Sequence, residues 1–160
     1  MPDPNELLAV ARLLIDETSG PASDAQLRRA VSTAYYAVFH KILRETADRF
    51  VGPDHSSKAA YRLVYRNFDH NRVREVCLRL NVSALSAPMR LELGRDTVSL
   101  EMRDFASSFP FLQSARHRAD YAPDAANHIA AAQTAMAAFD QTAEAERTDV
   151  LALMMGRSRA

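Results

Sequence analysis

The chain has no tryptophan, four glycines, one cysteine and only two lysines, Lys41 and Lys58. A lone cysteine, Cys77, excludes an intramolecular disulfide framework and any zinc site built from several thiolates. Its setting, Val76-Cys77-Leu78 between Arg74 and Arg79, reads as a helical core position. Net charge is also missing: 20 basic residues meet 20 acidic ones, which excludes a wholly basic coat, an acidic tail and a polybasic anchor. No apolar run approaches the roughly 18 residues of a membrane span, and Met1-Pro2-Asp3-Pro4-Asn5-Glu6 lacks the basic-then-apolar pattern of a signal peptide. The expectation is a soluble, cytoplasmic protein with no membrane association. At 160 residues there is room for one domain, expected over residues 1–155 with a flexible tail at 156–160.

What is present is helix-forming sequence. Alternating strand patterns are almost absent and apolar residues recur at intervals of three and four, so an all-α chain is expected. A first helix fits Asn5 to Thr18 behind Asp3 and Pro4. A second fits Asp24 to Phe50, where Ser23 and Gln26 make a capping box and Leu27, Val31, Ala34, Tyr35, Val38, Ile42 and Leu43 supply the apolar stripe. Shorter helices fit Ser56 to Phe68 and Asn71 to Leu80. Residues 81–98, with Pro88 and Gly94, read as a loop carrying an extended residue or two around Met89 to Leu93. A further helix begins near Thr97 or Ser99, is kinked at Pro110, and continues through Ala115. Pro123 breaks the chain, and an alanine-rich helix runs from Ala125 to about Ala145, continuing or restarting toward Met154. The sum is a bundle of five or six helices.

The neutral total conceals an uneven distribution. Residues 55–118 hold 11 basic and 6 acidic groups, a surplus of five, between two acidic ends. Lys58, Arg62 and Arg66 stand four apart, one above another on a helix face, as a polyanion would require. Tyr61 and Tyr65 lie between them, placed either to stack on bases or to pack with their hydroxyls at the rim. Arg116-His117-Arg118-Ala119-Asp120-Tyr121 is the densest polar run. Arg116 and Arg118 would clamp phosphate and His117 or Tyr121 would move a proton; the alternative is an Arg–Asp pair tying a helix end. Arg29, Thr33, Tyr36 and His40 form a second polar line on the long helix, with Asp120 as a partner for a buried Arg29 or His40.

Arg29-Ala30-Val31-Ser32-Thr33-Ala34-Tyr35-Tyr36-Ala37-Val38-Phe39-His40 resembles the second-helix signature of small stand-alone bacterial HEPN-domain proteins, and Arg116 to Tyr121 resembles their later Arg-x-x-Ala-Asp-Tyr motif. The resemblance spans Asn5 to about Met155. It implies an up-and-down helical bundle, a homodimer, and a toxin–antitoxin or defence setting with RNA and a nucleotidyltransferase-type antitoxin as partners. Neither a cofactor nor a metal ion is implied. Catalytic members carry Arg, four to six residues and then His; no histidine follows Arg116 or Arg118 at that distance. The pair Arg49 and His55 fits the spacing formally, but at the end of the wrong helix. The expectation is therefore an RNA-, nucleotide- or partner-binding bundle. Two alternatives stay open: a metal-independent endoribonuclease in which His117 or Tyr121 acts with Arg116, and a purely structural homodimer.

Overall fold

The computed structural model describes residues 1–16, 20–119 and 124–156. Among these the chain forms eight α-helices and no strand: α1 Pro4–Leu13, α2 Asp24–Phe50, α3 Ala59–Arg66, α4 His70–Leu80, α5 Ala87–Leu93, α6 Leu100–His117, α7 Ala125–Gln141 and α8 Glu144–Met155. A single 3-10 turn, Pro53–His55, precedes α3. The architecture is an all-helical bundle, with more elements than the five or six expected.

Local chemistry sets most of the boundaries. The Asp3 carboxylate accepts from the amides of Asn5 (2.8 Å) and Glu6 (3.3 Å), and Pro4 occupies a position whose amide would be unpaired anyway. The capping box opens α2 as the sequence indicates, with Ser23 and Gln26 exchanging bonds of 2.7 and 3.3 Å. The 27 residues of α2 extend roughly 40 Å and make it the spine of the bundle. It packs against α1, α3, α6 and α7, while α4 lies on α6 and α8 closes over α2, α4 and α5. Tyr35, Ile42, Leu80, Met102, Phe105, Phe109, Leu112, Phe139 and Leu151 sit in one contiguous core. Cys77 is wholly buried there, and burial pushes its thiol far above the ordinary range, as befits a packing residue.

Three stretches differ from the sequence expectation, the first being α1, which ends at Leu13 with Leu14 as its C-cap rather than running on toward Thr18. Residues 87–93 are helical rather than extended. Pro88 stands in the first turn, where proline is tolerated, and Met89 and Leu93, four apart, are both buried on one face. Gly94 ends the helix in the left-handed conformation, φ +64°. The expected helix over Ser56 to Phe68 is shorter, because Pro53 to His55 form their own turn and Lys58 is the extended residue before α3. The alanine-rich helix does stop and restart, through extended backbone at Thr142 and Ala143. Arg147 from α8 folds back onto the carbonyls of Phe139 (3.3 Å) and Asp140 (3.0 Å), satisfying the end of α7. α6 continues through Pro110, whose ring is buried.

An added Cβ at Gly94 would meet nothing within 4 Å, so its replacement tests backbone conformation alone. Gly94→Ala should cost about 1 kcal/mol in urea unfolding, and Gly94→Asn less, because asparagine enters the left-handed region more readily. Equal stability of all three chains would show that the α5 end is not held as described.

Candidate functional site

The site grows out of the middle of α2. Tyr35 and Phe39, four apart, face the core and stack at 6.3 Å; Tyr36 and His40 follow on the adjacent, half-buried face at 6.2 Å. Tyr35 is fully buried, so its hydroxyl needs a partner within the protein. That partner is His70, the first residue of α4, whose Nδ1 lies 2.5 Å from the hydroxyl and whose ring stacks on Phe39 at 3.7 Å. His40 meets the Tyr65 hydroxyl from α3 in the same manner. Burial, reinforced by the cation of Arg116, depresses the pKa of His70, and burial depresses that of His40. Burial raises the Tyr35 phenol well above its usual range and lifts Tyr65 to about 12. Both pairs therefore join a protonated phenol to a neutral imidazole.

Arg116, in the last turn of α6, lays its guanidinium carbon 4.8 Å from the centre of the Tyr36 ring and 5.3 Å from that of Tyr35. Cation–π contacts of this kind are worth about 0.5–2 kcal/mol depending on desolvation. No carboxylate pairs with Arg116 among the described residues. Even with one N–H directed at the Tyr35 hydroxyl, its fork keeps donors for an anionic acceptor.

Beside this cluster, α4 and the end of α6 enclose a cleft of about 440 Å³ lined by Asn71, Arg74, Gln113, Ser114, His117 and Arg118. Among the described residues its wall carries two arginines, a histidine and neutral hydrogen-bonding groups, and no carboxylate. Arg74, His117 and Arg118 are exposed, whereas Gln113 is 3% exposed. The polar run at the end of α6 is thus divided. Successive helical residues point about 100° apart, so Arg116 meets α2 while His117 and Arg118 face α4 across the cleft. Asp120 and Tyr121, the remaining members of that run, lie outside the described residues.

The other predicted residues fall elsewhere. Arg62 and Arg66 are exposed on α3 and Lys58 just before it, without ion pairs among the described residues and away from the cleft lining. Tyr61 and Tyr65 do not present free faces beside them: Tyr61 is 1% exposed and donates to Asp48 at 2.6 Å, and Tyr65 is held by His40. Arg29 is exposed, not buried, since it lies on the outward face of α2 while the adjoining Ala30 and Val31 face the core; its carbonyl accepts from Thr33 at 2.7 Å. Tyr36 and His40 do join the cluster. Arg49 is engaged by Glu45 at 2.9 Å and Glu144 at 3.1 Å, and His55 by the Val51 carbonyl at 2.8 Å, so that formal pair is structural. Sequence reasoning missed His70 and Gln113. Gln113 did carry a signal, a polar residue four after Phe109 in the buried stripe of α6; His70 carried none outside tertiary structure. Among the described residues no cluster of three or more His, Cys, Asp or Glu could hold a metal ion.

His70 and His40 are neutral when folded and take up protons when unfolded below the ordinary imidazole value of 6.5. Their contribution to stability is complete above that pH and is lost as pH falls through it. The thermal midpoint should therefore drop between pH 7 and 5. His70→Asn, which keeps an acceptor for Tyr35 but cannot titrate, should flatten that drop; an unchanged pH profile would remove His70 as its source. No family model, no curated protein and no solved structure matches this chain.

Proposed function

We propose that this chain is an HEPN-like bundle that binds RNA through the cleft between α4 and α6, without cleaving it. The observation that carries the reading is the convergence of Arg74, His117 and Arg118 on one cleft, with Arg116 braced on the Tyr35–Tyr36 pair beside it. Two exposed guanidinium groups across a groove suit a phosphodiester, because the planar fork matches phosphate oxygens and each contact releases a condensed counterion. The resemblance supports the same reading from a different direction: its two motifs, far apart in sequence, meet where Arg116 covers Tyr35 and Tyr36. Arg62 and Arg66 extend the basic surface on α3 and would steer a polyanion rather than grip it. In this reading the protein works as a homodimer in a toxin–antitoxin or defence setting, with a nucleotidyltransferase-type antitoxin as its protein partner.

Fluorescence anisotropy with a labelled single-stranded RNA across a salt series tests it. Affinity should fall linearly on logarithmic axes, and Arg74→Ala and Arg118→Ala should each reduce the slope by about 0.7. Arg29→Ala, on an exposed part of α2, should leave it unchanged. Binding indifferent to Arg74 and Arg118 would sink the proposal. The same RNA incubated in EDTA should stay intact; fragments with 2′,3′-cyclic phosphate ends, abolished by Arg116→Ala, would replace binding with endoribonuclease action.

A further inference from the structure

Gln113 is the most deeply set residue of the cleft lining, 3% exposed, yet no donor among the described residues reaches its amide oxygen. Four arginine Nε atoms share that condition, but Arg49, Arg72 and Arg147 are bonded through their other nitrogens. Gln113 is the only uncharged side chain among these unpartnered groups, and it stands in a wall. A buried amide left without a donor opposes folding, and apolar replacement at such a site is ordinarily favourable. The neighbours sharpen the point. Met102, Phe105, Phe109, Leu112 and Ala115 fill the other inward positions of α6, so an apolar residue at 113 would continue an existing surface. The last torsion of a glutamine is broad and soft, so the amide can be turned toward the cleft at little cost.

We infer that Gln113 is the specificity-determining group of the cleft: it accepts a hydrogen bond from a nucleotide whose phosphate lies on Arg74 and Arg118. The inference rests on the phosphate-binding reading above and adds a donor requirement to it. Phosphate alone satisfies the arginines, and the O–H it keeps at neutral pH lies on the anion itself, whereas a nucleotide carries donors well beyond its phosphate. The donor is either a ribose hydroxyl or an amino or imino N–H of the base. A volume of about 440 Å³ accommodates one such unit. Asn71 and Ser114, flanking Gln113 in the wall, supply further neutral donors and acceptors of the kind that read a base or sugar edge rather than a charge.

Isothermal titration of the full chain with inorganic phosphate and the four nucleoside 5′-monophosphates tests the inference. The preferred nucleotide should bind at least tenfold more tightly than phosphate. Gln113→Met, close in volume and without the amide, should abolish that margin while leaving phosphate affinity intact, and should raise the thermal midpoint of the unliganded protein. The 2′-deoxy form of the preferred nucleotide assigns the donor: loss of the margin points to the 2′-hydroxyl, retention to the base or another sugar hydroxyl. As a measurement independent of any variant, the side-chain amide resonance of Gln113 should shift with the nucleotide and stay in place with phosphate. Full nucleotide affinity in Gln113→Met, or an unmoved resonance, overturns the inference and leaves the phosphate site standing. Phosphate affinity unaffected by Arg74→Ala and Arg118→Ala overturns the underlying reading instead.

Discussion

A fully buried tyrosine hydroxyl on the central helix has to be answered from within the protein, and the geometry of the site follows from how this is done. Tyr35 finds its acceptor in His70, and because His70 is the first residue of α4, that bond fixes where α4 begins. Phe39, one turn on, stacks against the same imidazole and sets its plane. The other side of the tyrosine pair is covered by Arg116, which fixes the last turn of α6. The start of α4 and the end of α6 are therefore both pinned to one stretch of α2. The cleft between them is what remains when these two helices are held at those points.

The same arrangement separates arginines that hold the bundle from arginines that remain available. Arg44 reaches Asp3 at 2.6 Å, Arg95 reaches Asp149 at 2.5 Å, and Arg49 and Arg147 converge on Glu45 from α2 and α8. Exposed pairs of this type contribute only about 0–1 kcal/mol each, but they consume acidic groups. Arg62, Arg66, Arg74, Arg116 and Arg118, all from the basic middle of the chain, form no ion pair among the described residues. In a chain with no net charge, these five arginines are left without a carboxylate partner among the described residues.

How far this could be read in the sequence depended on the range of the interaction. The limits of α2 were legible at both ends, since Ser23, Gln26 and the glycine after Val51 act on their own neighbours. The helix Ala87–Leu93 was not, because Pro88 and Gly94 look like loop residues until Pro88 is placed in a first turn and Gly94 after a last one. Arg116, His117 and Arg118 were recognisable as important but not as divided, because adjacency in sequence becomes divergence on a helix. His70 was invisible: its role depends on Tyr35 and Phe39, 35 residues away in sequence for the hydrogen bond, and on nothing in its own neighbourhood.

The missing histidine of the catalytic spacing need not mean a missing imidazole, since a folded chain can supply one from another element. What decides the matter is which imidazoles are unengaged. Nδ1 of His70 is engaged by the Tyr35 hydroxyl and that of His40 by the Tyr65 hydroxyl. His55 and His128 donate Nδ1–H to the carbonyls of Val51 and Asp124, which leaves Nε2 of each able to accept a proton, but neither lines the cleft. Only His117 is exposed, in the cleft and without a hydrogen bond among the described residues. In-line cleavage at a ribose needs one group to take the 2′-hydroxyl proton and a second to protonate the leaving oxygen. Among the described residues one imidazole lines the cleft, beside Arg74 and Arg118, so a second proton-transfer group would have to come from another copy of the chain.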